Sequence, residues 1–487
     1  MRNNFNIILF FLFALVSKSN AQFKYSDTEK SIHNAILELK CKSFPNPAGT
    51  NVNGVINWLE AYHSFVNFKT TSQSILLDSV LTKIEIQKNK IEKLKADNPY
   101  YHYCLADINL MICYLYYENG NVLKSINAYW NAKKHNKTNE EKYPDFSLNQ
   151  KHSLIFKATD DWVNSNVFGK KTESIEFWKS EFQSSLNEAK SKFKESSVSY
   201  REIELAGFIL PVLFGDISPE RLPDISIPSP DFAKKGPLEA FTTVLIYNKV
   251  EQYQKNLKVL AIADSMRFNQ RCNMLNLWYG IALLNNRSPS SVNYLQLFLK
   301  NQENNNQVTY ARLKLSWYFL LTNQLKPADS LLALIRQSPI SKVWTDQQAK
   351  YEAVHAVDWL PEIIKSRLLF DGGDYSNSIN VLLSLKKSIH TFNQSQKLEY
   401  AYRLARAYHK VGEPSKAIPF YQMALNSNLD YEFYYPAYSA FYLGELFKNS
   451  NESSFAIKYY NKCLQLDSPI YKAEIHRKAK TEKENLE

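Results

Sequence analysis

Apolar residues recur at three- and four-residue intervals along most of the 487-residue chain, the period of amphipathic helices packed along one stripe. The clearest stretch reads Leu404-Ala405-x-x-Tyr408-x-x-x-Gly412, then Ala417, Tyr421 and Ala424-Leu425. The same landmarks return 39 residues later as Leu443-Gly444-x-x-Phe447-x-x-x-Asn451, then Ala456, Tyr460 and Cys463-Leu464. Weaker copies run through Ile112-Cys113, Tyr116, Gly120, Ser125, Tyr129 and Ala132, and through Leu315-Ser316, Phe319, Asn323, Ala328, Leu332 and Ile335. A further copy runs through Ser366, Leu369, Gly373, Ser378, Leu382 and Leu385, and Tyr279-Gly280-x-x-Leu283 opens another. Small residues let two helix backbones approach while Tyr or Leu fills the space beside them. Gly or Asn at the end of the first helix tolerates the left-handed turn, and Pro414 or Pro327 suits the first turn of the second. The spacing predicts helix pairs over 106–139, 309–342, 359–392, 398–431 and 437–470, with Pro419 kinking its helix. The five residues by which 39 exceeds 34 are expected to lengthen the helix at Asp430–Pro436.

This combination of landmarks resembles the tetratricopeptide repeat (TPR), a helix–turn–helix unit of about 34 residues, of an exported bacterial type. The resemblance implies an all-α, right-handed superhelical solenoid of antiparallel helix pairs with a concave face that binds partners. In that family the first helix of each pair lines the groove. Carried onto this sequence, the partner-binding positions are Tyr402, Arg406, His409 and Lys410 in the strongest repeat, and Tyr438, Phe441, Glu445 and Lys448 in the next. The weaker repeats offer Trp317 with Leu313, Tyr114 with Tyr117, and Arg367 with Phe370. Aromatic and Arg side chains are favoured binding anchors, although packing between helices uses the same rings. Arg406 stands where a clamp for a partner's terminal carboxylate wants Asn, so that activity is not carried over.

Several breaks organise the chain. Arg2, the apolar run Ile7–Val16 and Ser19-Asn20-Ala21 read as a cleavable signal peptide over 1–21, since ten apolar residues fall short of the about 20 that span a bilayer. An uncleaved tether is the other reading. The expected localisation is periplasmic, outer-envelope associated or secreted. Helical repeats are expected over 22–210 and 238–470, with a polar capping helix at 471–487. Between the halves, six of the 18 prolines cluster at 211–237, which reads as a loop or linker, either lying across the groove or forming a surface connection. Asn119-Gly120 suits a turn between helices, and Ser43–Pro47 a break.

Composition adds constraints. Only 12 residues are glycine and 45% are apolar, which favours helices over a turn-dense β architecture. The formal charge of +11 becomes +9 without Arg2 and Lys18. Lys83, Lys88, Lys90, Lys93 and Lys95 recur at helical spacing as a solvated face, and nucleic-acid binding would need a denser basic stripe. Association with an acidic partner or an anionic membrane or envelope surface stays open. Cys41, Cys104, Cys113, Cys272 and Cys463 are odd in number and widely spaced, unlike a disulfide framework, and none sits where a lipid anchor would need it. The nine histidines form no His-x-x-x-His pair, and Cys-x-x-Cys, Gly-x-Ser-x-Gly and phosphate-loop motifs are absent. Asp371-Gly372-Gly373-Asp374 lacks the further ligands of a calcium loop. No catalytic residue, metal site or cofactor is therefore expected. The sequence reads as a non-catalytic scaffold for a protein or peptide partner, the alternative being capture of glycans or peptides on groove aromatics.

Overall fold

In the computed structural model, the described residues are 26–42, 44, 54–70, 77–95, 97–118, 121–146, 148–166, 178–193, 198–214, 227–301, 307–341, 343–355, 359–427, 429 and 432–487. The signal segment 1–21, the turn at 119–120, residues 45–47 of the first break and the middle of the proline-rich segment lie outside them. The α-helices are α1 (Asp27–Leu37), α2 (Val55–Thr70), α3 (Leu77–Leu94), α4 (Pro99–Glu118), α5 (Val122–Lys142), α6 (Asn149–Asn166), α7 (Gln183–Ser191) and α8 (Val198–Phe214). They continue as α9 (Pro237–Lys249), α10 (Tyr253–Ser265), α11 (Asn273–Asn285), α12 (Ser291–Lys300), α13 (Val308–Leu321), α14 (Leu325–Gln337) and α15 (Trp344–His355). The last are α16 (Pro361–Asp371), α17 (Tyr375–Ser384), α18 (Gln394–Lys410), α19 (Pro414–Leu425), α20 (Tyr435–Asn449), α21 (Ser453–Gln465) and α22 (Lys472–Glu484). No described residue is in a strand.

The helices form two units. The first comprises residues 1–279 with 297–306, and the second 280–296 with 307–487. In the second unit, α13/α14, α16/α17, α18/α19 and α20/α21 pack as hairpins, with α15 between the first two, and α22 closes against α21. In the first, α4/α5 and α9/α10 pair in the same way.

One turn recurs between paired helices. Asn323, Gly373, Gly412 and Asn451 all have positive φ, between 56° and 82°. The residue after each donates its N–H to the carbonyl five positions before it: Gln324 to Phe319, Asp374 to Leu369, Glu413 to Tyr408 and Glu452 to Phe447, at 2.8–3.0 Å. This closure satisfies a carbonyl that the first helix leaves orphaned. Gln252 to Tyr247 and Ser288 to Leu283 repeat it at 2.9 and 2.8 Å, with Glu251 and Arg287 in the left-handed position.

Beyond the turn, positions twelve residues apart bring paired helices together. Ala405 and Ala417 are fully buried, as are Ala424 and Tyr421. Where serine replaces alanine, its hydroxyl finds a carbonyl on the first helix. Ser125 Oγ donates to Cys113 O at 2.8 Å and Ser378 Oγ to Ser366 O at 3.0 Å. At Gly444 there is no room for a side chain, because a Cβ there would lie 2.5 Å from the ring of Tyr460, which is itself fully buried. Gly444→Ala is expected to lower stability by about 1–3 kcal/mol, the usual cost of overpacking, read as a lower denaturant midpoint with unchanged helical circular dichroism.

Three local expectations fall on described residues. The extra residues before α20 do not extend a helix: Leu429 and residues 432–434 are non-helical, and α20 starts at Tyr435. Tyr434 and Tyr435 turn inward there and are buried, so the insertion carries rings into the core. Pro419 sits inside α19, which runs through it. The segment 211–237 is helical at both ends, since Pro211 lies within α8 and Pro230 opens a 3₁₀ turn to Lys235. It falls inside the first unit.

Candidate binding face

The first helices of the hairpins in the second unit share one aromatic and cationic face. On α18, positions 399, 402, 403, 406 and 409 recur at three- and four-residue steps and therefore align. Glu399 receives Arg403 at 3.3 Å from its own helix and Arg367 at 3.4 Å from α16. Arg367 also pairs with Glu352 of α15 at 2.9 Å, and Tyr435 donates to Glu399 at 3.2 Å. Trp317 underlies this network, with Lys314 4.1 Å and Arg367 4.4 Å from its ring centroid. Burial and Arg403 oppose the charge on Arg367, but Glu352 and Glu399 outweigh them and hold its pKa above the ordinary value. Burial pushes the Lys314 ammonium down, against the opposing pull of Asp371.

One turn along, Arg406 lies 4.0 Å from the ring centroid of Tyr442 and 5.6 Å from that of Phe370. It thus bridges α16, α18 and α20. His409 Nδ1 and Tyr421 Oη lie 3.1 Å apart, and the His409 ring meets Tyr442 edge-on. Tyr438 packs among Tyr434, Tyr442 and Tyr471 at 5.7–5.9 Å between centroids.

These contacts reassign most of the expected binding positions. Tyr114, Trp317, Tyr402 and Phe441 are buried, so their rings pack between helices and are closed to a partner. Leu313 and Arg367 are buried too. Lys448 is committed to Glu482 of α22 at 2.6 Å and helps dock the capping helix. Arg406 and His409 are half-buried and wedge neighbouring hairpins together. Tyr438 and Lys410 remain half-exposed on this face, and Phe370 and Tyr442 join them.

The sequence reading also passed over α15. Asp346 at its start accepts from the N–H groups of Gln307 and Tyr310, both at 2.8 Å. Tyr351 donates to Glu432 O, and Tyr471 donates to Gln348 at 2.5 Å. Helix α15 therefore fills part of the space an uninterrupted series of hairpins would leave open. No repeat landmark marks it, so spacing alone had no means of finding it.

A second polar cluster is buried in the first unit. Asp107 receives Lys151 at 3.0 Å, His152 at 2.9 Å and Trp58 Nε1 at 2.8 Å. The His152 ring stacks on Tyr103 at 4.6 Å, and His33 meets Glu202 at 3.0 Å. An acid, a base and a lysine are in contact there, and all are buried. Among the described residues, no group of three His, Cys, Asp or Glu is placed to hold a metal ion, and no cysteine is in a disulfide.

The recurring left-handed turn, the small residues twelve apart and the ring beside them are the internal geometry of one hairpin type. The fold is a tetratricopeptide-type helical repeat. Solved structures similar to this chain include the TPR domain of P58(IPK), 13% identical over 84% of this chain and 94% of that one, with a TM-score of 0.22. Human IFIT1, solved as a dimer with PPP-AAAA, is 14% identical over 98% and 89%, with a TM-score of 0.26. Yeast Tom70 is 13% identical over 89% and 96%, with a TM-score of 0.24. No family model and no curated protein matches the sequence.

Proposed function

We propose that this TPR-type chain is a non-catalytic scaffold that takes a protein segment against the inner face of its second unit. The observation that carries the reading is the half-exposed row Phe370, Arg406, Tyr442 and Tyr438 on three successive first helices, with Lys410 beside it. Rings backed by guanidinium groups are rigid, partly desolvated anchors of the kind that dominate protein interfaces. Their existing packing keeps the face preorganised, which lowers the entropic cost of association. The signal-like sequence at 1–21 supports export as part of the same proposal.

A glycan reading is favoured by a different place. A cavity of about 740 Å³ lies between α19 and α21, lined by Gln422, Asn426, Asn461, Gln465, Tyr459 and Lys462 among others. Amides beside the half-buried Tyr459 ring suit a polyhydroxylated ligand.

The test is selection from a peptide-display library, followed by affinity measurement for the selected peptides on wild type, Lys410→Glu/Tyr438→Ala and Tyr459→Ala. The scaffold reading expects the double variant to lose about tenfold or more in affinity while Tyr459→Ala retains it. Absence of any selected peptide, with saturable oligosaccharide binding that Tyr459→Ala removes, would establish the glycan reading instead.

A further inference from the structure

In the first unit, one side of α5 carries an apolar row that is exposed among the described residues. On α5, Val122, Leu123, Ile126 and Trp130 are 50%, 82%, 48% and 58% exposed. Their spacing places them together on one side of the helix, while Ser125, Ala128, Ala132, Asn136 and Asn139 are buried on the other. Four large apolar side chains crowded into nine residues are more than the scattered exposure a soluble surface normally shows.

The cations on this helix and on α3 are all lysine. Helices α3 and α5, both packed against α4, hold nine lysines, no arginine and five carboxylates. Lys133, Lys137 and Lys142 have carboxylate partners in Asp160, Glu141 and Asp97. Lys124 and Lys134 are exposed beside the apolar row and are in no ion pair among the described residues. Lys133 also lies 5.6 Å from the Trp130 ring centroid. Protein interfaces are depleted in lysine and enriched in arginine. Surfaces that dock on anionic lipid combine Trp, Leu and Ile with flanking lysines, the apolar groups entering the headgroup boundary and the ammonium groups meeting phosphate.

We propose that the exposed edge of α5 is a peripheral membrane-docking surface for an anionic bilayer. Leu123, Ile126 and Trp130 enter the interface, and Lys124 and Lys134 meet lipid phosphates. No helix among the described residues is long and apolar enough to cross a membrane, so the contact is peripheral. It is also independent of partner capture by the second unit.

The experiment is flotation of the mature full-length chain with phosphatidylcholine vesicles, with and without phosphatidylglycerol, at low and high salt. Wild type is expected to float only with the anionic vesicles and to be released by salt. Leu123→Ser/Ile126→Ser/Trp130→Ser and Lys124→Glu/Lys134→Glu are each expected to weaken binding by about tenfold or more. All five positions are solvent-facing, and circular dichroism verifies that the variants are folded. Failure of wild type to float, or flotation that neither variant reduces, would overturn the proposal. So would self-association of wild type, abolished by the triple variant, with no lipid binding, since this edge would then be a contact between copies of the chain.

Discussion

Arg367→Met is expected to destabilise the second unit by about 3–5 kcal/mol, the cost of stripping one partner from a buried ion pair. The reason lies in what remains. Glu352 is almost fully enclosed and holds Arg367 at 2.9 Å. Burial alone would push its carboxyl up, but Arg367 overrides that and holds it below the usual range. Without the guanidinium, Glu352 must stay charged in a poor solvent or take up a proton. Glu399 loses less, because Arg403 and Tyr435 still reach it. The Trp317 indole also loses a contact, since Arg367 covers its ring. Arg367→Met/Glu352→Gln should therefore recover much of the loss. Hydrogen exchange across α16 and α18 reads the effect locally, which matters for a chain of two units whose unfolding need not be one transition. Equal instability of the single and double variants would show that the stranded carboxylate is not the cause.

The same face shows what the sequence could and could not convey. The hairpins were legible because close packing admits few residues: Ala405, Ala417, Gly444 and Ala456 announce themselves by size, and Gly412 and Asn451 by their tolerance of positive φ. The hairpin α9/α10 gave no such signal. Its turn holds Glu251 in the left-handed position, where the backbone closure tolerates a residue that composition would never nominate. Arg287 hides the next turn in the same way. The binding face was harder still. The family resemblance assigns Arg406, His409 and Tyr438 to one side of the first helices, yet periodicity does not say how deep a side chain sits. Tyr402 and Trp317 share that side and are buried, Tyr402 against Tyr434 and Tyr435 from the insertion before α20 and Trp317 under Lys314, Arg367 and Trp359. A consequence is that Arg406→Glu would place a carboxylate against the rings of Tyr442 and Phe370 and loosen three hairpins at once. Lys410 and Tyr438 are better probes of the face because fewer hairpins depend on them.

The buried cluster of the first unit sets the second large effect. Asp107→Leu is expected to cost about 3–5 kcal/mol, because Lys151 and His152 then lose the only carboxylate they contact among the described residues and Trp58 loses its acceptor. Lys151 keeps just the Tyr103 hydroxyl at 2.9 Å. Leu fills the space without restoring charge balance, so Asp107→Leu/Lys151→Met should be more stable than the single variant, as a paired apolar replacement removes the stranded ammonium. Acid supplies an independent check. Burial raises the Asp107 pKa, but Lys151 and His152 outweigh it and leave the group below its usual value. A depressed carboxylate stabilises the fold above its unfolded pKa of about 4 and loses that contribution as pH falls through the folded value. The gap between wild type and Asp107→Leu should therefore be widest near neutrality and narrow in acid. A gap that stays constant from neutrality to below about pH 3 would mean that Asp107 acts through shape and hydrogen bonds alone, with no part played by its charge.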